Sequence, residues 1–266
     1  MTSYLTSADG TRIAYESTGS GPALILVDGA MCYRDSGPAR PLAAELADSF
    51  TVYLYDRRGR GESDAGSEIS IEREVEDLAA LAKEAGGSPY LYGISSGAVL
   101  AADAAARGIG TPRLAIYEPP LIVDDRDREP LPADSLERIT SLVDSGRNGD
   151  AVKSFMRAVQ VPGFAIAMMR LMPAWSRLKA VAPTLRYDFT LMRGLQQGNR
   201  PPADRWSTAT MPTLVIDGGK SSGWMRTGVE AMAKAMPNAT YRTLPGQNHM
   251  VKPAALAPVL KEFYTA

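Results

Sequence analysis

The chain has 266 residues, 45% of them hydrophobic and 22% charged, with a formal net charge of -1. That composition supports a sizeable core, excludes a disordered chain, and lacks the basic excess that nucleic acid or an anionic membrane surface attracts. Cys32 is the only cysteine, which excludes an intrachain disulfide and a thiolate-rich metal site.

Short runs rich in Val, Ile, Leu and Tyr alternate along the chain with amphipathic stretches, the pattern of an α/β protein with a mostly parallel sheet. Strands are expected near Ser3 to Thr6 and Arg12 to Glu16, joined by a turn at Asp9-Gly10, a favoured hairpin dipeptide. ALILV (Ala23 to Val27) and TVYLY (Thr51 to Tyr55) read as strands buried on both faces, with a helix between them over about Pro38 to Asp48. Ile71 to Ala85 has helical spacing and stops at Gly86-Gly87. YLYGI (Tyr90 to Ile94) is a strand, followed by a helix of small residues and the strand RLAIY (Arg113 to Tyr117). From about residue 121 to 210 the pattern changes to Pro-rich and helical segments, read as a helical cap inserted between strands six and seven. TLVID (Thr213 to Asp217), a helix through about Met236, the strand ATYRTL and a helix over Ala254 to Tyr264 complete the chain. The expectation is an eight-stranded, mostly parallel sheet with helices on both faces, its core formed by residues 1 to 120 and 211 to 266.

The chemistry concentrates at Gly93-Ile94-Ser95-Ser96-Gly97, a G-x-S-x-G between an expected strand and an expected helix. A sharp turn there exposes the hydroxyl of Ser95, and the following helix aims its first amides, Ser96 N–H among them, at the same spot. A serine hydroxyl needs a base to become a nucleophile near neutral pH. His249, in the loop LPGQNH after the last strand, is the only histidine and is therefore the candidate base.

The runs VDGAM, YDRRGRGES, GISSGA, TLVIDGG and LPGQNH together resemble the α/β-hydrolase superfamily across nearly the whole chain outside the cap. The resemblance implies the order nucleophile, acid, histidine, and an oxyanion hole of backbone amides. Two departures stand out. The oxyanion loop carries Asp28-Gly29 where much of the family has His-Gly, so Gly29 or Ala30 is expected to supply an amide beside Ser96, with Asp28 organising the loop or meeting substrate. The loop after strand seven reads Gly218-Gly219-Lys220-Ser221-Ser222 and lacks the usual carboxylate. Zearalenone lactonase-like members share the Asp-Gly loop, a Ser-Ser elbow and a Glu before proline. By that likeness Glu118, followed by Pro119-Pro120, is the expected acid, with Asp217 as the alternative.

The family turn Asp56 to Ser63, with three arginines, is expected to be structural, and Cys32 a small buried residue. Met168, Met169, Met172, Trp175, Leu191 and Met192 offer apolar material for a pocket, with Trp175 and Met192 the specific candidates. The expected function is hydrolysis of a small, largely apolar ester or lactone through an acyl-enzyme, with no cofactor or metal. The rivals are C–C bond hydrolysis, a cofactor-free lyase or cyclase on the same scaffold, and a non-catalytic binding protein. No basic-then-apolar leader and no run of about 18 apolar residues occur. The expected partner is a small molecule, the expected location the cytoplasm, and the expected state a monomer or homodimer.

Overall fold

The computed structural model describes all 266 residues. In chain order it contains β1 (Ser3–Thr6), β2 (Arg12–Thr18), β3 (Ala23–Val27), α1 (Ala39–Leu46), β4 (Thr51–Tyr55), α2 (Ile71–Glu84), β5 (Tyr90–Ile94), α3 (Ser96–Ala106) and β6 (Leu114–Tyr117). Five helices follow, α4 (Ser135–Asp144), α5 (Asn148–Ala158), α6 (Gly163–Met169), α7 (Ala174–Val181) and α8 (Leu185–Leu191). The chain closes with β7 (Thr213–Gly218), α9 (Gly223–Ala235), β8 (Ala239–Leu244) and α10 (Pro253–Thr265).

The eight strands form one sheet in the order β1-β2-β4-β3-β5-β6-β7-β8. The first two strands pair antiparallel, β2 joins β4 antiparallel, and every later pairing is parallel. Period-2 alternation sorts the strand side chains between two cores. Ile25, Val27, Leu91, Leu114, Ile116 and Val215 pack with α2, α3 and α9. Leu24, Leu26, Tyr92, Tyr117, Leu214 and Ile216 pack with α1 and α10 on the opposite face. β6 sits between β5 and β7, so the ends of these three strands present adjacent loops along one edge of the sheet, where ligands bind in open α/β folds.

α3 lies deep in the molecule: of its residues, only Ala106 escapes full burial. Its small side chains permit this, and two glycines are required for it. A Cβ on Gly93 would fall 2.5 Å from Gly97 O, and one on Gly97 would fall 2.3 Å from Val27 O. Strand, turn and helix therefore close on one another to a distance no larger residue permits.

The helices between β6 and β7 share a small core of their own, in which Trp175, Val181 and Leu185 pack with Ile139, Val152 and Met31. α8 rests on α3 and α2, which ties this layer to the elbow at Ser95.

Candidate active site

Ser95 occupies the turn between β5 and α3 with φ 58 and ψ -130. A positive φ on a side chain other than glycine costs about 1–3 kcal/mol, and two hydrogen bonds hold it in place: Ser95 N–H donates to Tyr117 O at 3.0 Å, and Ala98 N–H donates to Ser95 O at 3.0 Å. Glu118 is strained in the same sense, with φ 44, pinned by its N–H donating to Ile216 O at 3.0 Å. Both strained residues stand at strand ends on the same edge of the sheet.

Glu118 is fully buried, and both of its oxygens are committed. Oε2 lies 2.9 Å from His249 Nδ1. Oε1 accepts the Gly218 N–H at 2.7 Å and the Ser221 hydroxyl. The His249 loop is anchored from below, where the Tyr117 hydroxyl donates to Asn248 O at 2.7 Å and Lys220 N–H donates to Gln247 O at 2.8 Å. With Nδ1 engaged by a carboxylate, Nε2 is the ring nitrogen left for a reacting group. Ser95 Oγ makes no hydrogen bond within the protein, and such contacts commonly tighten only when substrate is bound.

Ser95, Ser96, Ala30, Glu118, His249 and Met192 all line one cavity of about 360 Å³. Gly29 lies directly beside Ser95, since a Cβ on it would meet Ser95 Cβ at 2.9 Å and Oγ at 3.3 Å. Neither Ala30 N–H nor Ser96 N–H donates to a backbone carbonyl, which leaves two amides beside the hydroxyl as an anion site.

Three expected site residues lie elsewhere. Trp175 is in the core of the helical layer and does not line the cavity, because the amphipathic α7 turns it inward onto α5. Of the methionines between β6 and β7, Met168 and Met172 are 65% and 56% exposed and do not line the cavity. Asp28 is buried and does not line the cavity; its carboxyl faces Gly37, where an added Cβ would meet Oδ2 at 2.9 Å. The alternative acid, Asp217, makes no hydrogen bond or ion pair with His249. Its Oδ2 accepts from Arg226 Nε at 3.2 Å and its Oδ1 is enclosed without a partner.

Burial pushes the Asp28 carboxyl up to about 7, against the attraction of Arg60 and Arg57. Between about pH 4 and this value the folded chain keeps a proton that the unfolded chain has released, so this group's contribution to stability declines as pH rises through the window. Asp28→Asn, which carries no such proton, is expected to gain in melting temperature relative to wild type between pH 5 and pH 8. Melts at the two pH values check this, and a constant difference contradicts it.

The arginine-rich turn after β4 is a buried brace. Arg57 forks onto Glu74 at 2.7 and 2.8 Å and reaches Asp188 Oδ1 at 2.9 Å. Arg60 reaches Asp188 Oδ2 at 2.7 Å and donates to Gly29 O at 2.6 Å and Cys32 O at 3.2 Å. Holding the Gly29 carbonyl fixes which way the Ala30 amide of the same peptide unit points. Asp188, on α8, also accepts the Ser96 hydroxyl at 2.8 Å, so one buried carboxylate joins the helical layer, the turn and the elbow. Burial alone would raise the Asp188 carboxyl, yet Arg60 and Arg57 hold it below its ordinary value. Sequence reasoning misses Asp188 and Ser221, which carry no motif of their own. The one hint for Ser221 is its place in the loop where the family usually carries its acid.

A sequence model described as the alpha/beta hydrolase family matches residues 20–259. An alpha/beta hydrolase of solved structure from Sphaerobacter thermophilus superposes with a TM-score of 0.88 at 46% identity, covering 98% of this chain and all of that one. N-formylmaleamate deformylase of Pseudomonas putida is 35% identical over 161 residues, 56% of this chain and 57% of its own length. An uncharacterized hydrolase, YraK, of Bacillus subtilis is 35% identical over 102 residues, 37% of each chain. The aligned part thus spans from about a third to somewhat over half of these two relatives.

Proposed function

The chain belongs to the alpha/beta hydrolase family, and from that premise we propose that it is a serine hydrolase cleaving a small carboxylic ester or lactone through an acyl-enzyme. His249 Nε2 takes the Ser95 proton as Oγ attacks the carbonyl carbon, and the resulting oxyanion rests on the amides of Ala30 and Ser96. The imidazolium, stabilised by Glu118, returns its proton to the departing alkoxide as the C–O bond breaks. Water, deprotonated by the same imidazole, then attacks the acyl-enzyme, and collapse restores the Ser95 hydroxyl and releases the acid. The helical layer over residues 121 to 210 serves as the cap above the cleft.

The observation that carries this reading is the 2.9 Å contact between His249 Nδ1 and a Glu118 that is itself immobilised by Gly218 and Ser221. A second reading, cleavage of an acyl C–N bond, draws support from the likeness to the deformylase over 56% of this chain, and differs only in the leaving group. Ser95→Ala and His249→Ala are each expected to lower kcat by about 10⁶-fold, the scale seen when either member of such a pair is removed. Hydrolysis of a panel of p-nitrophenyl esters measures this, with circular dichroism to establish folding, and activity retained in a folded Ser95→Ala protein refutes the assignment.

A further inference from the structure

Five arginines are buried: Arg34, Arg57, Arg58, Arg60 and Arg128. The first four each meet at least one carboxylate within ion-pair distance. Arg128 meets none, although it is only 7% exposed. Its guanidinium lies over the Trp224 ring, 4.0 Å from the centroid, and Nη2 donates to Ala158 O. Nε and Nη1 have no partner in the protein, and neither is among the enclosed polar atoms, so both stay accessible. Arg128 and Trp224 line the same cavity as Ser95 and His249.

A buried, unpaired charge is costly. Desolvation with no opposing carboxylate pushes Arg128 down to about 10, so it remains charged near neutral pH. The aromatic face and one carbonyl offset only part of the cost. The rest of the lining sharpens the imbalance. Its two carboxylates are spent, Glu118 on His249 and Asp188 on Arg57 and Arg60, while Lys220, a second cation on the wall, is exposed and pairs with no carboxylate. The cavity therefore presents fixed positive charge without a counterion, in a frame of Met192, Met225, Leu131 and Phe155.

We propose that the substrate carries a carboxylate remote from the scissile carbonyl and that Arg128, held by Trp224 and Ala158, binds it, with Lys220 adding charge at the wall. The substrate class is then half-esters, lactones or related acyl derivatives of small dicarboxylic acids. This rests on the serine-hydrolase reading above, and it replaces the largely apolar substrate expected from the cap's methionines. Guanidinium suits the role because its planar fork matches a carboxylate through two parallel hydrogen bonds.

The test compares the mono-p-nitrophenyl ester of glutaric acid with p-nitrophenyl butyrate on wild type, Arg128→Gln and Arg128→Lys. The ratio of kcat/KM for the half-ester over the neutral ester is expected to fall on the order of 100-fold in Arg128→Gln, the scale of truncating one partner of a buried charge pair. The loss should lie mainly in KM, with Arg128→Lys intermediate. Glutarate should also slow fluorophosphonate labelling of the wild type and not of Arg128→Gln. An unchanged ratio in folded Arg128→Gln, or in Arg128→Lys if the first variant does not fold, overturns the proposal while leaving ester hydrolysis standing. If the wild type cleaves neither ester, the hydrolase reading fails by itself. Calorimetry with glutarate then decides the matter: binding lost in Arg128→Gln supports the carboxylate site, and no binding to wild type ends it.

Discussion

Glu118→Gln is expected to lower kcat/KM for a p-nitrophenyl ester by about 10³- to 10⁴-fold, with little change in melting temperature. The size is that of replacing the acid of a Ser-His-acid triad by its amide. The hydrogen-bond pattern dictates the cause. Oε1 of Glu118 receives two donors, Gly218 N–H and the Ser221 hydroxyl, so the amide oxygen of the substituted side chain must take that position. Its NH₂ then faces His249 Nδ1, which has to accept, and the ring proton moves to Nε2. A ring protonated there cannot take a proton from Ser95. Asp217→Asn, on a carboxylate paired with Arg226 instead, is expected to change kcat/KM less than about tenfold. The two variants side by side separate the candidate acids, and a larger loss in Asp217→Asn reverses the assignment.

Asp188→Ala destabilises the protein by about 3–5 kcal/mol, the cost of breaking a buried ion pair from one side. For a chain of this size that lowers the melting temperature on the order of 10 °C. Two guanidiniums lose a partner at once, Arg57 at 2.9 Å and Arg60 at 2.7 Å, and the Ser96 hydroxyl loses its acceptor. Activity should fall with stability, because Arg60 also holds Gly29 O and thereby sets the direction of the Ala30 amide proposed to receive the oxyanion. Urea unfolding gives the first quantity and ester turnover at a temperature where the variant is folded gives the second. A loss below about 1 kcal/mol would place Asp188 among surface pairs in energy and remove it from the brace.

The sheet was legible because its signal is local. Short apolar runs mark the central strands, which are buried on both faces, and Gly93 and Gly97 are glycine for the close approach of β5 and α3 that the geometry shows. Ser95 and His249 are candidates from motif and scarcity and Glu118 from the resemblance, and the fold brings the three to one cavity. The cavity wall was not, because it is assembled from segments far apart in sequence. Arg128 stands in the run DDRDRE, where flanking acids suggest a solvated, neutralised stretch. Only the tertiary fold removes those acids from its guanidinium and sets it over Trp224. Asp188 is likewise unremarked in LRYDFTL until α8 docks on α3. The methionine stretch misleads for the converse reason. Its apolar character is real, but Met168 and Met172 point away from the cavity into solvent.

The most direct measurement of Ser95 as an activated nucleophile is covalent labelling by a fluorophosphonate followed by peptide mass spectrometry, on wild type and Glu118→Gln. One adduct is expected, on Ser95, formed at least about 100-fold more slowly in the variant, in keeping with a wrongly protonated base. No adduct on folded wild type, or an adduct on Ser96 in place of Ser95, contradicts this expectation.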